Sequence, residues 1–426
     1  MFRFVPFFIG LMACVSASAQ AASVSGTATF DGERPEPTFV ELIEKGGKVS
    51  DCSALHLEGL RAEKLIVGED KEIANVFVYV RKGLPRKKYP KPSEPAVLNQ
   101  LGCMFQPRVQ GVMMGQDLLM RNSDPVLHNV RALSFRNRPF NIGQPAKSPD
   151  RTKSFRRKEK AVMIQCDLHP WMQAHVFVMD HPYFAVTDQS GQFEIPDLPV
   201  GDYTLTAWHE QLGEQDVEIS VTEDGIPDIA FMLKPKKRER VMQGKLAANS
   251  PGARPAIPEP VAEQRPFVKK WELADLAADA ADLSKRSKAK GSELFTAGGC
   301  IKCHVIAGKG TKLGPDLSDV TKRFKGAKLL EQMLKPSAEI NKDFQTQLFL
   351  TIAGKTVSGL VIEENDEQVR LLPNPLKPEE VVVLKKDEID ERRNSDVSTM
   401  PESLLDTMNR DEILDLLAFV SAGGKI

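Results

Sequence analysis

Cys300-Ile301-Lys302-Cys303-His304 is the stretch that decides how the last third of this chain is read. Two thiols with two residues between them, followed at once by a histidine, can form thioethers to a haem and reach its iron from below. With six cysteines and seven histidines in 426 residues, chance would supply the pattern roughly 0.001 times per chain. A thioredoxin-like C-x-x-C wants a βαβ setting, and half a zinc site wants another Cys/His pair nearby; the surrounding sequence offers neither. Working outward, Leu283 to Ala297 reads as a helix stopped by Gly298-Gly299. Near the other end, Asn409 and Glu412 make a capping-box start, and Ile413, Leu416, Leu417 and Val420 stripe one face until Gly423-Gly424. Between them, residues 345 to 385 alternate like strands, with turns at Ala353-Gly354 and Asn365-Asp366, as a small β insertion in a mainly helical domain.

The surroundings of the motif carry a resemblance. Leu313-Gly-Pro-Asp-Leu317, Pro336-Ser337, Ser398-Thr-Met-Pro401 and Asp415-Leu-Leu-Ala-Phe419 are similar to a cytochrome c haem-binding domain of planctomycete and verrucomicrobial type, over about residues 287 to 424. The resemblance implies one covalent haem c on Cys300 and Cys303, with His304 as proximal iron ligand. It also gives Pro315 the role of accepting the ring N–H of that histidine. Met400 is the distal ligand it implies; Met408, beside the last helix cap, is the rival. A Met/His pair raises the reduction potential and closes the iron to small ligands, which suits electron transfer.

A second constellation lies upstream. Cys166-Asp-Leu-His169-Pro-Trp-Met172 puts a thiolate, an imidazole and a thioether on one tight loop, and Asn122-Ser-Asp-Pro-Val-Leu-His128-Asn129 supplies another histidine. One Cys, two His and a weak axial Met are the donors of a type 1, or blue, copper centre. The pattern resembles the cupredoxins, of amicyanin/plastocyanin type, and implies His128, Cys166, His169 and Met172 as copper ligands, with Asn129 orienting the loop. The bland readings are a plain β-sandwich with a buried thiol, or Cys166 in a disulfide. Cys52 and Cys103 can pair with each other, which would leave Cys166 over. His56, His175, His181 and His209 are isolated and read as structural or exposed.

Composition bounds the rest. The net charge of −1 gives no global pull toward nucleic acid or anionic membrane. After Arg3 an apolar run and the small residues Ser16 to Ala22 read as a secretory signal over residues 1–21, with lipoprotein processing at Cys14 as the rival. No later apolar run approaches the ~20 residues that span a bilayer. Residues 22–181 read as the cupredoxin-like copper domain. Residues 182–234, with Val186-Thr-Asp-Gln-Ser-Gly191 and Tyr203-Thr-Leu-Thr-Ala-Trp-His209, are similar to the carboxypeptidase-regulatory or transthyretin-like sandwiches. Residues 235–282 read as a Pro- and charge-rich linker with a helix start, and 283–426 as the haem domain. The fold class expected is therefore multidomain, all-β at the N-terminal end (a Greek-key sandwich and a transthyretin-like one) and mainly α at the C-terminal end.

Two local charge patches stand out. Residues 121 to 160 hold eleven Lys/Arg against three Asp/Glu, a balance of +8, and residues 387 to 415 hold ten Asp/Glu against three Arg, a balance of −7. Opposed patches would steer one redox unit onto the other; two unrelated solvated surfaces are the plainer alternative. The expectation is an exported, periplasmic or envelope-associated electron carrier with redox-protein partners. The other classes kept open are a peroxidase-like haem enzyme with an open sixth site and a copper-binding or sensor scaffold.

Overall fold

The structure, a computed structural model, describes residues 21–40, 42, 52–56, 58–222, 228–235, 265–373 and 381–426. Residues 1–20 of the expected signal, including Cys14, and linker residues 236–264 lie outside the described residues. The described chain is mostly β-sheet with few helices.

The half that carries the Cys166 loop forms two sheets around one core. One sheet runs in the order Phe140–Gln144, His128–Leu133, Glu159–Gln165, Gln173–Met179, Val109–Met113; the other runs Arg151–Ser154, Asp117–Asn122, Ala96–Leu101, Met104–Gln106. Alternating residues such as Leu98, Leu118, Met120, Val130, Val162, Ile164 and Val176 fill the space between them. Cys52 and Cys103 form a disulfide in this core.

The boundary read at 181/182 does not separate the strands. Ala21–Phe30 pairs with Gln192–Pro199 and Ile229–Leu233, and Phe77–Lys82 pairs with Phe184–Val186 and Gly201–His209. The second β unit is thus discontinuous, taking two strands from the segment assigned to the copper domain. Local alternation marks a strand but carries no information on its partner, because pairing is decided by burial across the fold. A buried ionic group joins the two β units: Arg108 donates to both carboxylate oxygens of Glu210 (2.5 and 3.1 Å).

Two histidines in this region titrate with folding. Burial holds His209 and His181 down to about 4. A histidine whose folded value lies below its unfolded one takes up a proton on unfolding. Its contribution is therefore present above the unfolded value and is lost as pH falls toward the folded one. We expect stability to fall between about pH 6.5 and 4, by at most ~1.4 kcal/mol per pH unit per histidine. Urea titrations at pH 7 and pH 5 measure this; a flat profile would contradict it.

The C-terminal unit begins earlier than the sequence boundary at 283. Leu276 and Ala280 are buried in its core, and Trp271 Nε1 donates to Met408 O at 2.9 Å. Helix Lys288–Ala297 starts on Ser287, whose side chain accepts from Lys290 N, and gives way at Gly298 and Gly299 (φ +76°). Helix Arg410–Ser421 has the expected reciprocal cap between Asn409 and Glu412. The helices cross at Gly291, where a Cβ would stand 2.2 Å from Asp415 O, so only glycine permits the approach. The β insertion is a sheet of order Val382–Lys385, Gln368–Leu372, Thr356–Glu364, Gln347–Thr351, Ile389–Asn394. Its last strand was not read from sequence, because Ile389-Asp-Glu-Arg-Arg-Asn394 is a charged edge strand with little to bury.

The C-terminal unit packs on the Cys166-loop half along the outer edge of Phe140–Gln144. Gly143 N donates to Glu402 O (2.8 Å) and Glu402 N to Asn141 O (3.1 Å). The opposed charge patches meet here, with Arg136 on Glu391 (2.5 Å) and Arg151 on the buried Asp406 (3.0 Å).

Candidate metal and haem centres

Strand His128–Leu133 and the loop from Cys166 to Met172 bring the upstream constellation together. The loop is closed on itself by Cys166 N to Met172 O (3.1 Å) and Met172 N to His169 O (2.9 Å). Donor atoms of His128, Cys166 and His169 all lie within 4.8 Å of one another. The two Nδ1 atoms are 2.9 Å apart, and Cys166 Sγ is 3.7 Å from His169 Nδ1. All three are buried, as is Met172, which packs in the same core cluster.

The electrostatics suit a cation. Burial pushes the Cys166 thiol up to about 12. Burial first, then His128 and Lys302, hold His169 well below the usual histidine range. Two convergent imidazole nitrogens and a thiol, buried together, form a donor set that suits a soft or borderline metal ion. The far side of His128 is held by Asp124: Nε2 donates to its carboxylate at 2.9 Å, which leaves Nδ1 as the metal-facing lone pair. Asp124 also accepts from Gly102 N (2.7 Å) and Cys103 N (2.8 Å), tying the histidine to the disulfide. No motif assigns Asp124 a role; its place four residues before His128 is the signal that the sequence offers.

At the Cys300–His304 motif, Gly299 turns the chain into Cys300–Lys302, and His304 N closes on Cys300 O at 2.9 Å. His304 Nδ1 donates to Pro315 O at 2.9 Å, so Nε2 is the ring nitrogen left for iron. Gly314 lies flat against the ring, where a Cβ would come within 2.7 Å of Cε1. Met400 is half-buried on the segment pinned to the Cys166-loop half, with its N–H on Ser398 Oγ at 3.1 Å. Met408 is fully buried among Leu294, Phe295 and Leu416, over Gly298.

Charges in the two constellations act on each other. Lys302, between the paired cysteines, is close enough to His169 to oppose its protonation. Asp167, next to Cys166, acts after burial to raise the Cys303 thiol.

Residues 288–372 match the family model for cytochrome c. The C-terminal unit carries a cytochrome c domain. Residues 169–225 match the model described as polysaccharide lyase family 4, domain II, which runs from the end of the metal-ligand loop into the second β unit. No curated protein sequence matches the chain. Among solved structures, a copper-containing nitrite reductase (NirK) from Thermus scotoductus is 18% identical over 22% of this chain and 24% of its own length (TM-score 0.19). A purple cupredoxin from Nitrosopumilus maritimus is 18% identical over 20% of this chain and 99% of its own (TM-score 0.18). An oxidised amicyanin variant is 13% identical over 24% and 98% (TM-score 0.19). Among the described residues no helix is long and apolar enough to cross a membrane.

Proposed function

We propose that this is an exported electron-transfer protein holding one covalent c-type haem and one type 1 copper, with single electrons passing between them and to redox partners. The observation that carries the reading is the hydrogen-bonded seam between the Cys166 loop and the Met400 segment, where Asn141 Nδ2 donates to Asp167 Oδ2 (3.2 Å), Ser398 O (3.1 Å) and Thr399 O (3.2 Å). Each bound metal would supply a one-electron couple. Cys300 and Cys303 would anchor the haem, and His304, oriented by Pro315, would hold its iron together with Met400. The buried His128, Cys166 and His169 would hold copper, with Met172 as a weaker donor. The Cys52–Cys103 disulfide agrees with folding in an oxidising compartment.

The test is flash reduction of the doubly loaded protein. Electron exchange between the centres should follow first-order kinetics independent of protein concentration, since the seam lies within one chain. A rate that scales with concentration, or no exchange, would remove the two-centre reading and leave a cytochrome with a silent β scaffold.

A further inference from the structure

Asn141 is a ligand to neither metal, and no motif marks it. It sits on the outermost strand of its sheet, two positions along the ladder from Asn129: the register pairs Asn141 with Arg131 and Gly143 with Asn129. Its side chain is nonetheless used on every side. Oδ1 accepts from Asn129 Nδ2 at 2.7 Å. Nδ2 donates to Asp167 Oδ2 (3.2 Å), Ser398 O (3.1 Å) and Thr399 O (3.2 Å). The amide orientation is forced, because those three partners can only accept.

Asn129 is equally committed. Its Oδ1 accepts from Cys166 Sγ (3.3 Å) and from Asp167 N (2.8 Å), and its backbone N–H points at the same sulfur at 3.5 Å. Its Nδ2 also reaches Asp167 Oδ2 at 3.0 Å. Both asparagines are essentially out of solvent, at 0% and 3% exposure. The result is an unbroken run: Cys166 Sγ, Asn129, Asn141, Thr399 carbonyl and, one peptide bond on, Met400. Two buried amides with all their polar atoms satisfied are rigid, since moving either leaves a desolvated group unpaired.

We infer that Asn141 is a positioning residue that, with Asn129, couples the copper-thiolate loop to the axial-methionine loop, so that each centre's ligand geometry responds to the other and the electron crosses by this route. The inference rests on the electron-transfer reading above. The step it serves moves one electron only: one centre is oxidised by one, the other reduced by one, and no bond or proton is exchanged.

The test compares Asn141→Ala with Arg151→Ala, which breaks another contact of the same seam, the ion pair to Asp406, without touching the run. Two quantities are read on the haem- and copper-loaded full chain: the shift in haem midpoint potential between copper-free and copper-loaded protein, and the inter-site rate. In Asn141→Ala the copper-induced shift should vanish and the rate fall ~10–100-fold, the range for residues supporting a metal site. Arg151→Ala should keep both. Asn141→Ser, which keeps a small polar group on the strand, serves in place of Ala should that variant not fold, with the same losses expected. Native shift and native rate in the Asn141 variant overturn the inference, as does an equal loss in Arg151→Ala, which would make the seam as a whole responsible. If the unmodified protein shows no inter-site transfer, the electron-transfer reading fails separately, and the potential shift still decides the role of Asn141.

Discussion

Cys166→Ser should abolish the intense blue absorption of the copper-loaded protein and lower copper affinity by more than the ~10–100-fold that loss of a supporting residue costs. The thiolate is the soft donor that would make this set a copper site; a serine leaves two imidazoles and a thioether, which favour no blue centre. The haem should still be incorporated, because the attachment motif has its own turn away from Cys166. Absorption spectra and copper content per chain, measured on protein matured with haem, decide the matter. Native copper content with the blue band retained in the serine variant would mean that Cys166 is an inert core thiol.

Met400→Ala should remove the methionine–iron absorption band, admit carbon monoxide or cyanide at neutral pH, and lower the haem potential by a sizeable share of the ~0.8 V that axial ligands command. Met408→Ala provides the contrast. Met408 is 1% exposed and packed in the helical core, so its truncation should cost ~2–5 kcal/mol of stability while the band persists. The reverse pair of results would assign the iron to Met408. Small-molecule binding to the unmodified protein would instead mean an open sixth position, and with it the enzyme class.

Three of the four residues proposed at each candidate centre are legible along the chain because they lie in one short loop; His128 and Met400 lie elsewhere in the sequence. Cys300 to His304 spans five residues and Cys166 to Met172 seven, so local geometry nearly suffices to bring the donors together. The helix caps are legible for the same reason: the Asn409/Glu412 pair is a bond between residues three apart. The strand Ile389–Asn394 is not, since an edge strand needs no alternating apolar face.

The groups that orient and connect the centres depend on pairing between distant strands. Asp124 reaches His128 because the chain bends back at Pro125, and it meets Gly102 and Cys103 only because the sheets stack. Asn141 meets Asn129 through a strand register, and Thr399 through contact over 258 residues of sequence. Residues 21–30 and 77–82 join the second β unit for the same kind of reason. What the amino-acid order settles here is the chemistry: which donors exist, which are adjacent, and therefore which metals they suit. Which donors are oriented, and how one loop touches the other, follows only from burial and hydrogen-bond satisfaction across the folded chain, because those free energies depend on partners that sequence separation does not reveal.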